Sequence, residues 1–164
     1  MEKLKSELIA LLSENARYTF KQLADISGAT ETEVEKAVKE LENDGVIVKY
    51  SAILNTEAIE EYKKVQALIE VKVAPQKLRG FDAYADDICN FKEVQSLYLM
   101  SGGFDLAVFV EGATITDIAR FVSEKLSFID GVVSVQTHFI LKKYKIEGHV
   151  TKPVEELRRQ VVQA

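Results

Sequence analysis

Apolar positions follow a helical period through the first 45 residues and then give way to strand-like runs separated by helical stretches. Leu4, Leu8, Leu11 and Leu12 share one face of a helix predicted over residues 2–13. A second helix is predicted to start at Thr19, because Thr19-Phe20-Lys21-Gln22 fits a capping box, with the turn supplied by Gly28. Thr30-Glu31-Thr32-Glu33 is another capping box and opens a third helix, with Val34, Ala37, Val38 and Leu41 as its buried stripe and Asn43-Asp44-Gly45 as its stop. Three helices with short links and one shared apolar face predict a small bundle. The two short helices joined at Gly28 have the outline of a helix-turn-helix, whose second helix enters the DNA major groove.

Val46 to Leu54 is β-branched and reads as an extended connector, followed by a short polar segment over residues 55–62. The rest alternates. Val65–Val73 reads as a strand closed by Pro75. Lys77–Cys89 reads as a helix with Leu78, Phe81, Ala85 and Ile88 inward. Glu93–Met100 and Phe104–Glu111 read as a hairpin closed tightly by Ser101-Gly102-Gly103. Thr114–Leu126 reads as a helix capped by Thr114 and Asp117, with Ile115, Ile118, Ala119, Val122 and Leu126 on one face. Asp130-Gly131 turns the chain into a long last strand, Val132–Tyr144. This βαββαβ order is the ferredoxin-like split unit. Pro153 suits the first turn of a terminal amphipathic helix reaching about residue 162. The predicted fold class is therefore α+β: a three-helix, winged-type helix-turn-helix domain with its connector over residues 1–55, a ferredoxin-like domain over 63–145, and a tail helix over 146–164.

Composition narrows the chemistry. No apolar run approaches the roughly 18–20 residues that span a bilayer, the opening residues lack the apolar core of a signal peptide, and Cys89 is the only cysteine. These point to the cytoplasm, with no membrane partner. Cys89 reads as a small half-buried helix residue. The chain carries a net charge of −5. Residues 1–50 hold seven Lys/Arg against ten Asp/Glu, a balance of −3, so the segment expected to meet phosphate is no more basic than the remainder. No nucleophile–base pair, phosphate-binding glycine loop or metal-ligand spacing is present, so no cofactor, metal or catalytic residue is expected.

Asn15–Thr19 with Leu23-Ala24, Leu41–Ile47, Ser101–Asp105 and Asp130-Gly131-Val132 together resemble the Lrp/AsnC (feast/famine) family of transcriptional regulators. Asn15-Ala16-Arg17-Tyr18-Thr19 followed by Leu23-Ala24 looks like the family's approach to its second helix. Leu41-Glu42-Asn43-Asp44-Gly45-Val46-Ile47 looks like the stretch that closes its recognition helix. Ser101-Gly102-Gly103-Phe104-Asp105 looks like its Gly-x-(aromatic)-Asp turn, and Asp130-Gly131-Val132 resembles its Pro-Gly-Val turn before the last strand. The similarity covers about residues 4–145, with these stretches in the family's order and spacing.

The resemblance implies a one-component regulator that binds double-stranded promoter DNA and a small effector, typically an amino acid, at an interface between subunits. It implies a homodimer and a higher assembly, a tetramer or octamer. The effector residues it implies are Met100, Ser101, Gly102, Gly103, Phe104 and Asp105 of the hairpin turn, with Gln136 and His138 on the last strand. Glycines there let backbone amides approach a carboxylate, and Asp105 can meet an ammonium group. The expected DNA-facing residues are Thr30, Thr32, Glu33, Lys36 and Lys39, with Arg17 and Lys21 on phosphate.

The chain departs from the family on the recognition helix. The family's frequent arginine position falls on Ala37, and the preceding threonine position on Glu33. Thr30 to Gly45 holds six acids (Glu31, Glu33, Glu35, Glu40, Glu42, Asp44) against Lys36 and Lys39, which opposes phosphate neutralisation. Two other readings stand beside the regulator: an effector-sensing oligomer whose helix-turn-helix no longer meets DNA, and an enzyme similar to the tetrapyrrole decarboxylases of related architecture. The second lacks the cationic lining that substrate carboxylates need, with only His138 and His149 as histidines and no arginine cluster around them.

Overall fold

The computed structural model describes residues 2–56, 59, 63–74 and 80–151. The expectations for Pro75, for Leu78 and the start of its helix, and for the tail helix lie outside them. Two compact units are present, Met1–Leu54 and Asn55–Ala164.

The first unit contains α1 (Glu2–Glu14), α2 (Phe20–Ser27) and α3 (Glu31–Asn43). Both predicted capping boxes form. The Thr19 hydroxyl accepts from the Gln22 amide at 3.2 Å while Gln22 Oε1 accepts from the Thr19 amide at 2.9 Å. Thr30 and Glu33 make the same exchange at 3.3 and 2.9 Å. Gly28 ends α2 at φ +68°, a left-handed position that glycine takes without a Cβ clash. The core is Leu8, Leu23, Val34, Ala37, Val38 and Leu41, with Leu4, Leu11 and Leu12 packed against it, as the stripes predict. Residues 46–54 join no sheet among the described residues, and Val46, Val48, Tyr50, Ile53 and Leu54 stand exposed along them.

The second unit is built on β1 (Val65–Val73), α4 (Phe81–Cys89), β2 (Val94–Leu99), β3 (Leu106–Gly112), α5 (Ile115–Glu124), a 3-10 turn (Leu126–Phe128) and β4 (Val132–Phe139). The sheet order is β2-β3-β1-β4, antiparallel throughout, which is the split βαββαβ arrangement. Alternation along β1 sends Ala67, Ile69, Val71 and Val73 to one face, where they meet Leu106, Val108, Val110, Tyr84, Ile88, Ile118 and Phe121 in one core. The other face carries Leu68, Glu70, Ala107, Phe109, Tyr98, Gln136 and His138, placed by the register of the ladders.

Four local expectations change. First, the β2–β3 connection is longer than the tight Ser101-Gly102-Gly103 closure. The Met100 amide donates to the Asp105 carbonyl at 2.8 Å, leaving Ser101–Phe104 as a four-residue tip. Second, α5 turns its face toward Phe121, whose ring packs edge-on against Phe91 at 5.5 Å. Burying that ring leaves Ile115 and Ala119 exposed rather than buried. Third, the last strand stops at Phe139, because Ala67↔Phe139 is its final pair and the Ile140 amide bonds Gln66 at the end of β1. With no strand left to pair with, the chain forms a separate small hairpin, β5 (Lys145–Ile146) and β6 (His149–Val150). Its turn holds Glu147 at φ +43° and Gly148 at φ +87°. Fourth, Cys89 is exposed rather than half-buried.

Candidate DNA and effector sites

α3 presents Thr32, Lys36 and Lys39 at spacings of four and three residues, so the three share one exposed stripe opposite the buried Val34, Ala37, Val38 and Leu41. Arg17 and Lys21 are also exposed, near the start of α2. Thr30 and Glu33 have a different task. Glu33 Oε2 accepts from both the amide and the hydroxyl of Thr30, at 2.9 and 2.7 Å. These bonds hold the Glu33 carboxyl below its ordinary range. Both side chains close the helix start instead of reaching outward.

The acids of α3 are largely occupied. Glu35 pairs with Lys39 at 2.7 Å. Glu40 and Asp44 flank Lys5 of α1 at 2.9 and 3.8 Å. The Lys5 hydrogen bond keeps Glu40 below the usual carboxylate range and raises Lys5 in turn. Glu42 accepts from the Tyr50 hydroxyl at 2.9 Å, and burial together with that carboxylate pushes the phenol up to about 12. Glu31 lies in the first turn, where the helix dipole favours an anion. Five of the six acids thus have a partner within the unit. Lys5 and Tyr50 were not legible as part of this surface, since they reach α3 only through packing.

The residues expected to meet an effector are spread over the sheet. Met100 and Ser101–Gly103 are exposed, and Gly102 sits at φ +152°, which an L side chain rarely adopts. Asp105 faces inward: its Oδ2 accepts from the Val73 amide at 2.8 Å, and its own amide donates to the Val71 carbonyl at 3.0 Å. Asp105 therefore ties the loop to β1, and one of its carboxylate oxygens is already committed. Gln136 lies across from Glu70 and His138 across from Leu68, both on β4. His138 Nε2 stands 3.3 Å from Glu70 Oε1. Two strand spacings, roughly 10 Å, separate β3 from β4. His138 is also three residues along β1 from Val71, where the loop is anchored, a further 10 Å or so. Within one chain the loop and His138 do not meet around a single small molecule.

Residues 66–150 match the family described as Lrp/AsnC ligand binding domain, and residues 1–48 match winged helix-turn-helix DNA-binding. The chain belongs to the Lrp/AsnC family. It is 43% identical over 158 residues to the uncharacterized HTH-type transcriptional regulator YugG of Bacillus subtilis, covering 96% of this chain and 95% of that protein. It is 34% identical to the HTH-type transcriptional regulator LrpA of Pyrococcus abyssi, over 84% of this chain and 94% of that one. Among solved Lrp/AsnC structures, AsnC of E. coli superposes with a TM-score of 0.66 at 17% identity, over 90% of this chain and 96% of that one. The transcriptional regulator NMB0573 of Neisseria meningitidis, solved as an L-Met complex, superposes with a TM-score of 0.67 at 24% identity, over 96% and 99%. This chain is accordingly a DNA-binding transcriptional regulator with a ligand-binding domain, and not an enzyme. Among the described residues, no helix is long and apolar enough to cross a membrane.

Proposed function

We propose that this Lrp/AsnC regulator reads promoter DNA through the Thr32, Lys36 and Lys39 stripe of α3, with Arg17 and Lys21 on the phosphate backbone. An amino acid captured between subunits changes how the assembled heads engage DNA. The observation that carries the DNA reading is the engagement of the α3 acids by Thr30, Lys5, Lys39 and Tyr50. A helix that looks repulsive in sequence keeps Lys36 exposed, with Glu35, Glu40 and Asp44 paired to lysines and Glu33 and Glu42 held in hydrogen bonds.

Assembly is supported by the uncovered face of the sheet. Tyr98 is 54% exposed there, with its ring edge-on to Phe109 at 6.0 Å and Leu68 beside Phe109 in the ladder. A sheet face with such side chains gains by burial against another layer, and a second copy supplies one. Gln136 and His138 lie on that face, so an inter-subunit site can gather groups that one chain keeps apart. The L-Met complex of the Neisseria regulator supports an amino acid as the class of ligand. Such a ligand controls DNA binding only by favouring one arrangement of subunits over another.

The test is a DNA shift assay on the intact assembly at two salt concentrations. Four phosphate-facing cations per head give a slope of about −3.6 in log K against log salt, or at least a hundredfold loss between about 50 and 200 mM. Binding that ignores salt removes the electrostatic account. Binding to no promoter fragment leaves the DNA-free sensor. A thermal-shift screen of the amino acids tests the effector half, since a ligand selective for the folded state raises the melting temperature. No shift with any of them overturns the amino-acid assignment.

A further inference from the structure

We propose that the Glu70–His138 pair on the uncovered face of the sheet makes the association of two copies proton-linked, so that assembly tightens as the pH falls from about 8 to 6. This rests on the reading above that a second copy covers that face. His138 Nε2 stands 3.3 Å from Glu70 Oε1, and the two side chains are 44% and 29% exposed. Both therefore keep contact with water that a second copy displaces.

The register of the strands sets the surroundings of the pair. His138 lies across from Leu68, and Glu70 is the next β1 residue on the same face, across from Gln136. Behind Leu68 and Glu70 come Phe109 and Ala107 on β3, then Ser96 and Tyr98 on β2. Of these four only Tyr98 titrates, and a phenol ionises at about pH 10. Along β1 the following residue on this face is Lys72, across from Ser134. At the other end Gln66 and Lys64 hold Glu111 at 2.8 and 2.6 Å, and Lys142 and Lys143 follow beyond Ile140. The imidazole thus meets the Glu70 carboxylate, and Lys72 is the neighbouring cation on β1 that competes for it.

While the face is open, such a pair contributes little, because water answers both charges. Covering changes the balance. A carboxylate taken out of water is costly unless it is paired and hydrogen-bonded. A neutral imidazole offers it one N–H and no charge, whereas an imidazolium offers both. The attraction also strengthens as the local dielectric falls. The covered state therefore holds a proton on the imidazole more firmly than the open state does, and association takes protons up. The sign follows from linkage: the gain is present where the imidazole is protonated in both states, and is lost as the pH rises through the titration of the covered pair. Protonation of the carboxylate closes the window on the acid side. A two-fold assembly carries the pair twice, so the effect is doubled.

The experiment is sedimentation velocity of the full chain over a dilution series at pH 8, 7 and 6, at constant ionic strength. The dissociation constant between copies is expected to be about tenfold or more lower at pH 6 than at pH 8. Glu70→Gln and His138→Gln should each flatten that dependence to within about twofold. His149→Gln removes the chain's other imidazole, on the small hairpin, and should keep it in full. Lys72→Ala should keep or steepen it. If one of the two flattening variants fails to melt like the parent, the other carries the test. A parent that associates equally at all three pH values, or more weakly at pH 6, overturns the proposal and leaves the assembly reading intact. A dependence that persists in Glu70→Gln, or disappears in His149→Gln, overturns it too. A chain that stays monomeric at every pH overturns the assembly reading, and this inference with it.

Discussion

Gly131→Ala is expected to destabilise the βαββαβ unit by about 3 kcal/mol or more. Two costs add at this position. Gly131 sits at φ +91°, where an L side chain is strained. A Cβ there would also overlap the Tyr84 hydroxyl oxygen and come within 2.9 Å of its Cζ. Tyr84 has no room to retreat: it is fully buried in the core, and its hydroxyl donates to the Ala74 carbonyl at 3.2 Å. The Ala74 amide in turn donates to the Gly131 carbonyl at 2.9 Å, so the turn before β4 and the end of β1 are fastened at the same place. Urea denaturation followed by circular dichroism measures the loss. Tyr84→Phe alone should cost about 1 kcal/mol, the worth of a hydrogen bond. Combined with Gly131→Ala it should restore part of the loss, since the hydroxyl is the closest obstacle. Costs that simply add in the double variant would mean that the hydroxyl does not set the penalty.

Charge reversal at Lys36 is expected to have the largest effect on DNA. Lys36→Ala should weaken promoter binding by about tenfold or more and lower the salt slope by about 1. Lys36→Glu should weaken it beyond about a hundredfold, because it removes a cation and sets a carboxylate against phosphate. Lys36 is exposed, so both variants should melt within about 0.5 kcal/mol of the parent. Glu35→Gln probes the same surface in the other direction. It releases Lys39 from its 2.7 Å pair and should tighten binding while steepening the salt slope. Shift assays on the three variants at matched salt measure these changes. Equal affinity for Lys36→Glu and parent would place the DNA-reading surface elsewhere than on α3.

Much of this regulator is written in short-range pattern. Capping boxes at Thr19, Thr30 and Thr114 are visible in four-residue windows, and all three form. The reason is local: a hydroxyl and an amide three residues apart satisfy each other whatever surrounds them. The strand over Val65–Val73 and the stripe from Val34 to Leu41 are equally local, because burial follows a period of two or of about 3.6. What the pattern misjudged lay where partners are remote. The end of β4 at Phe139 depends on where β1 begins, 74 residues earlier, at Val65. The face of α5 depends on Phe91, a ring from another segment that draws Phe121 inward in place of Ile115.

The candidate sites divide in the same way. Sequence alone determined which residues of α3 are buried, the glycine-rich loop before Asp105, and the family that the chain resembles. Only the tertiary structure decided how the acids of α3 are partnered, since Lys5 and Tyr50 reach them from α1 and from the connector. Only it turned Asp105 toward the Val73 amide, and only it set His138 of β4 at 3.3 Å from Glu70 of β1. The physical reason is common to all three. Periodicity along a chain fixes the direction of a side chain, but Coulomb and hydrogen-bond energies depend on distances between groups that folding alone brings together.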